Sequence, residues 1–92
     1  MKELREILDE LARRNKLFLQ IKSRMVLREW EGIVGEHVAR HTTPFINGNT
    51  LVITCDDPIW LMEISFLKDE IKRKFNDLAG IEIVKKVVLK RR

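Results

Sequence analysis

The sequence has little of what small domains use for cross-linking, membrane crossing or catalysis. Its single cysteine, Cys55, excludes an intrachain disulfide, so the fold must hold by packing alone, as suits a reducing cytoplasm. No apolar run approaches the roughly 20 residues of a membrane span. The N-terminal segment MKELREILDELARR is charged throughout, without the apolar stretch or small-residue cleavage site of a secretory signal. A soluble, cytoplasmic chain with no membrane contact is expected. There is no glycine-rich phosphate loop after a strand, no nucleophile elbow, no repeat and no low-complexity segment. His37 and His41 stand at i, i+4, yet a zinc site needs at least a third ligand, and none lies near in sequence. Glu36 precedes His37, which is not the H-E-x-x-H order. No metal, no cofactor and no enzymatic activity are expected.

What is present is enough for one small core. Ninety-two residues make a single domain spanning 1–92, and hydrophobic residues form 45% of it, too many for a disordered chain. The formal net charge is +4, and the segment from Gly80 to Arg92, with five cations and one anion, accounts for all of it. The basic end at 85–92 carries Lys85, Lys86, Lys90, Arg91 and Arg92. Such an end suits a phosphate backbone or an acidic protein surface. A solvated edge strand whose lysines block aggregation accounts for it equally well.

The periodicity gives the order of elements. Leu4, Ile7, Leu8 and Leu11 follow helical spacing, so residues 2 to about 14 form an amphipathic helix, with Asn15 a break or kink. A second helical pattern runs from Leu17 and Phe18 through Met25 and Trp30 to Val38, weakened by Gly32 and Gly35. Pro44 stops any helix. Asn47-Gly48 between apolar, β-branched runs marks a hairpin with a type I′ turn. Asp56-Asp57-Pro58 starts a helix by capping. Trp60, Ile64, Leu67, Ile71, Phe75 and Leu78 continue it as one helix of about 20 residues, closed by Gly80. Its outer side carries Lys72, Arg73 and Lys74. From Ile81 to Lys90 the sequence alternates, placing Ile81, Ile83, Val87 and Leu89 inward and Val84, Lys86, Val88 and Lys90 outward. The fold expected is α+β: α(α)–β–β–α–β, with helices packed on one face of a three-stranded sheet.

Most distinctive residues admit a plain structural role. Trp30 and Trp60 lie on apolar helical stripes and read as core. Cys55 is a small strand-end hydrophobe. His41 is expected to bond backbone near the Pro44 turn. Gly32-Ile33-Val34-Gly35 matches the G-x-x-G loop with which KH domains clamp nucleotides, but here it precedes every strand, so a helix kink is the better account.

From Trp30 through Pro44, then Asn47 to Ile53 and Trp60 to Leu67, the chain resembles the DciA family, bacterial proteins long known only as a domain of unknown function. The resemblance covers roughly residues 18–90, with Trp30, Gly35, His41, Pro44, Gly48 and Trp60 as its structural signature. It implies a KH-like α-β-β-α-β domain without the KH loop in its usual place. It also implies a partnership with the DnaB-type replicative helicase, whose loading on single-stranded DNA such proteins assist. Many members carry a long basic extension beyond this domain, of which only Lys90, Arg91 and Arg92 stand in this sequence.

Two readings follow. In the first, Lys72, Arg73, Lys74, Lys85, Lys86, Lys90, Arg91 and Arg92 neutralise the phosphates of single-stranded DNA or RNA. In the second, the domain is a protein-interaction adaptor, docking through Val52, Val84 and Val88 or through its first helix. RNA ranks below DNA, because Phe45 alone offers an aromatic ring on a strand.

Overall fold

The computed structural model describes residues 2–92; in the first helix the side chains of residues 2, 5, 8–10, 12 and 13, Leu8 among them, lie outside the description. The elements are α1 (Lys2–Leu27), α2 (Trp30–Val34), α3 (Glu36–His41), β1 (Thr42–Asn47), β2 (Thr50–Cys55), α4 (Pro58–Phe66), α5 (Lys68–Ala79) and β3 (Lys86–Arg91).

Helix α1 runs unbroken through Asn15. One asparagine costs a helix only a fraction of about 1 kcal/mol, and no Gly or Pro stands beside it. The chain breaks later. Gly35 at φ 91°, ψ 160° separates α2 from α3, backbone that only glycine adopts readily. Helix α3 ends at His41, where Thr42 turns extended. Pro44 therefore sits inside β1, opposite Ile53, and not at a helix end. Strand β1 is an edge strand, where a residue without an N–H is tolerated.

Strands β1 and β2 form an antiparallel hairpin with Asn47 paired to Thr50. The two-residue turn is thus Gly48-Asn49, one residue later than the Asn-Gly pair predicts. Gly48 has φ 63° and, among the described residues, no non-glycine residue, Asn49 included, has positive φ, the pattern of a type II′ turn and not type I′. Asp57 caps α4: its Oδ1 accepts the Ile59 N–H at 2.8 Å, with Pro58 at the first helical position. The expected long helix is two. Ser65 Oγ bonds the Met62 carbonyl at 2.5 Å and Leu67 N–H bonds Ile64 O at 2.9 Å, a tightened last turn that closes α4. Gly80, in the left-handed region, closes α5.

Strand β3 lies parallel to β2, giving a three-stranded mixed sheet in the order β1-β2-β3. It begins at Lys86, not Ile81. Residues 81–85 are irregular, and one side chain holds Ile83 and Val84: Asn76 Oδ1 accepts from Ile83 N at 3.0 Å and Val84 N at 2.8 Å, while its Nδ2 donates to Val84 O at 2.9 Å. This turns Val84 into the core, against the outward place that alternation gives it. Leu51, Ile53 and Cys55 of β2 join Ile64, Ile71, Phe75, Val84, Trp30, Ile33, Val38 and Val26 in a single apolar cluster. The helices thus pack on one side of the sheet.

Candidate nucleic-acid interface

Side chains alternate across a sheet, so the register fixes which residues share the uncovered side. Three rows cross it. Phe45, Val52 and Val88 form the middle row; Asn47, Thr50 and Lys86 lie on one flank, and Thr43, Thr54 and Lys90 on the other. Phe45 is 59% exposed at the β1 edge. Lys86 and Lys90 stand exposed on the β3 edge, about 13 Å apart along the strand. Arg92 extends this face. Its N–H bonds Cys55 O at 2.9 Å, and its Nη2 reaches Thr43 Oγ1 at 2.8 Å, so the arginine lies across the sheet from β3 to β1. The face therefore offers an aromatic ring, an apolar strip and three cations.

The other cations predicted from sequence stand elsewhere. Arg91 pairs in register with Cys55 and so takes the helix side of the sheet. Lys85 sits at the hairpin end, its N–H bonded to Asn49 O at 2.8 Å. It lines a cleft with Lys16, Gln20, Asn47 and Glu82. Lys72 and Arg73 border a shallow groove with Asp69, Asp77 and Glu82, where carboxylates outnumber them. Lys74 Nζ pairs with Glu70 Oε1 at 3.4 Å. The α5 cations lie in the helix layer, across the core from Lys86 and Lys90. Sequence reasoning assigned all eight to phosphates, on the last strand and the outer side of the last helix; the structure brings together Lys86, Lys90 and Arg92. It missed Phe45 as their companion, which the strand pairing alone reveals.

The signature residues build the scaffold. Trp30 is buried, and its Nε1 donates to Thr42 Oγ1 at 2.9 Å, which donates in turn to Val38 O at 2.7 Å. This relay ties α2, α3 and β1 together. His41 does not bond backbone: its Nδ1 lies 3.1 Å from Asp56 Oδ1, and its ring stacks on Trp60 at 5.5 Å between centroids and 15° between planes. That stack clamps the end of α3 to the start of α4. Cys55 is fully buried, with Sγ 3.2 Å from Asp57 O. Ile33, inside the G-x-x-G segment, is buried in the core, so that segment serves as a joint between helices. Among the described residues, no group of three or more His, Cys, Asp or Glu gathers to hold a metal ion.

Helix α4 adds a second exposed feature. Ile59, Met62 and Phe66 follow one another along its outer side, Phe66 with 81% of its surface free.

The structure is thus a small basic α+β domain with one open, cation-bearing sheet face. The chain belongs to the DciA family: the family model described as "Dna[CI] antecedent, DciA" matches residues 3–89. It is also similar to UPF0232 proteins of Mycobacterium tuberculosis and Mycobacterium bovis, at 23% identity over 77 residues, covering 83% of this chain and 41% of each relative. The chain thus spans about two fifths of the length of the curated relatives it matches. Among the described residues, no helix is long and apolar enough to cross a membrane.

Proposed function

We propose that this domain is a KH-like, nucleic-acid-binding accessory of the DnaB-type replicative helicase that assists its loading on single-stranded DNA in the cytoplasm. It acts by binding and not by catalysis. Family membership supports the link to the helicase. The antiparallel hairpin followed by a helical crossover to a parallel third strand supports the KH-like reading. The observation that carries nucleic-acid binding is the open sheet face, where Phe45 stands among Lys86, Lys90 and Arg92. Cations there neutralise phosphates while a base stacks on the phenyl ring, a combination that tolerates any sequence.

Three phosphates neutralised on a single strand give a slope of about −2 for log affinity against log salt. Fluorescence anisotropy on a labelled single strand at several salt concentrations measures it. Lys86→Glu with Lys90→Glu is expected to flatten that slope to about −0.7 and weaken binding. No binding at low salt, or a slope unchanged by the double variant, rejects this face. Running the same titration with RNA separates the two substrates.

The exposed Ile59, Met62 and Phe66 of α4 favour a second reading, a protein adaptor that docks apolar side chains in a partner's groove. Helicase pull-down separates the readings. Binding that survives Lys86→Glu/Lys90→Glu and is lost in Phe66→Ser belongs to α4.

A further inference from the structure

Helix α1 carries two apolar stripes, and the fold uses one. Its body-facing side chains are Leu19, Ser23, Val26 and Leu27, all buried or half-buried. Roughly 130° round the helix from them, at 100° per residue, runs a stripe of Leu4, Ile7, Leu11, Phe18, Ile21 and Met25. Each of these is between 47% and 56% exposed, and Leu17 beside them is 62% exposed. The spacing is strict. Leu4, Leu11, Phe18 and Met25 recur every seven residues, and Ile7, Arg14 and Ile21 repeat at the same interval three places on. This is the a/d pattern of a coiled coil, sustained over three heptads.

We infer that α1 is a dimerisation helix, and that its free stripe pairs antiparallel with the same stripe of a second copy. Area is the first argument. Six half-exposed side chains of this size hold roughly 100 Å² each, so a pair of copies removes roughly 1,200 Å² from water, above the about 1,000 Å² a specific interface needs. Self-complementarity is the second. A two-fold axis near residue 16 sets Ile7 opposite the second copy's Met25 and Leu11 opposite its Ile21. The flanking residues that then meet their own copies are Asn15 and Leu17, neither of them charged. Arg14 decides the direction. A parallel pair places Arg14 against Arg14 inside the seam, like charge on like charge. The antiparallel pair sets it over the ring of the other copy's Phe18, a residue that already holds the Lys22 ammonium 5.7 Å from its ring centroid, so a second cation meets the other side of the ring.

The pairing uses none of the open sheet face, and it sets the two domain bodies at opposite ends of the helix pair. Sedimentation equilibrium of the whole chain, from low to several hundred micromolar, is expected to show a mass rising from monomer to dimer. Leu11→Glu with Ile21→Glu is expected to raise the dissociation constant at least ~100-fold, since the carboxylates then face each other across an apolar seam. Circular dichroism checks that the fold is kept, and both sites lie on the side of α1 turned from the core. Geometry is read by mild oxidation of single-cysteine variants. Leu11→Cys mixed with Ile21→Cys should give a covalent heterodimer, and Leu11→Cys alone should not; the native Cys55 is fully buried. A monomer at every concentration overturns the proposal, as does a Leu11→Cys homodimer, which signals parallel pairing. A monomeric chain whose helicase binding is lost in Leu11→Glu/Ile21→Glu assigns the stripe to the helicase and overturns it too.

Discussion

Asn76 makes three hydrogen bonds that no strand partner makes for residues 83 and 84. Its amide both accepts and donates, so it satisfies two N–H groups and one carbonyl of an irregular segment beside the core. Asn76→Ala leaves those groups unpaired at a cost of about 2–4 kcal/mol, a large share of the stability of a domain this size. Urea unfolding should show the loss, and hydrogen exchange at the Ile83 and Val84 amides should quicken ahead of the rest of the chain. Asn76→Asp keeps the acceptor but sets a carboxylate oxygen against Val84 O, so it should fall short of wild type. Nothing in the sequence announces this role. Alternation places Val84 outward because period-two patterning presumes a strand, whereas a side chain seven and eight residues upstream holds the backbone out of the ladder. Asp57 is the opposite case: its capping bond was legible, because cap, proline and helix are contiguous.

Elements were legible where their limits are set by Pro, Gly or Asp, and less so where other contacts set them. The hairpin, the start of α4 and the Gly80 end of α5 follow from local chemistry. The break at Leu67 does not, for no Gly or Pro marks it and the apolar stripe runs through. The two glycines of α2 and its end make the clearest test at this scale. Gly35 has φ 91°, and an added Cβ meets no atom within 4 Å at either Gly35 or Gly32, so crowding is absent at both. Backbone preference alone then decides. Gly35→Ala forces a side chain into a region almost closed to it, at about 1–3 kcal/mol. Gly32→Ala, at an exposed helical position, should add roughly 0.5–1 kcal/mol of stability. Thermal melts should therefore move in opposite directions, with roughly 4–8 °C for each kcal/mol in a domain of this length. A loss at both would mean that the joint between α2 and α3 depends on motion and not on backbone geometry.

At the scale of the whole molecule, three surfaces point away from one core: the open sheet face, the free stripe of α1 and the outer side of α4. Charge alone could not separate them from sequence, because Lys72, Arg73 and Lys74 look no different from Lys86 and Lys90 until the sheet register and the carboxylates around α5 are known. The excess of positive charge therefore matters less than its placement beside Phe45. Stacking and charge contribute differently to binding, and one substitution separates them. Phe45→Ala removes a stacking ring worth about 1–3 kcal/mol per base, so affinity for a single strand should fall roughly 5- to 150-fold. Phe45 lies outside the apolar core cluster, so the melting temperature should hardly change. No phosphate contact is lost, so the salt slope should stay at about −2, whereas Lys86→Glu/Lys90→Glu should flatten it. Equal slopes with weaker binding in Phe45→Ala place a base on the ring and the strand across the sheet. Unchanged affinity in Phe45→Ala would confine the nucleic acid to the β3 edge, held by Lys86, Lys90 and Arg92 as point charges with the apolar row left for another partner.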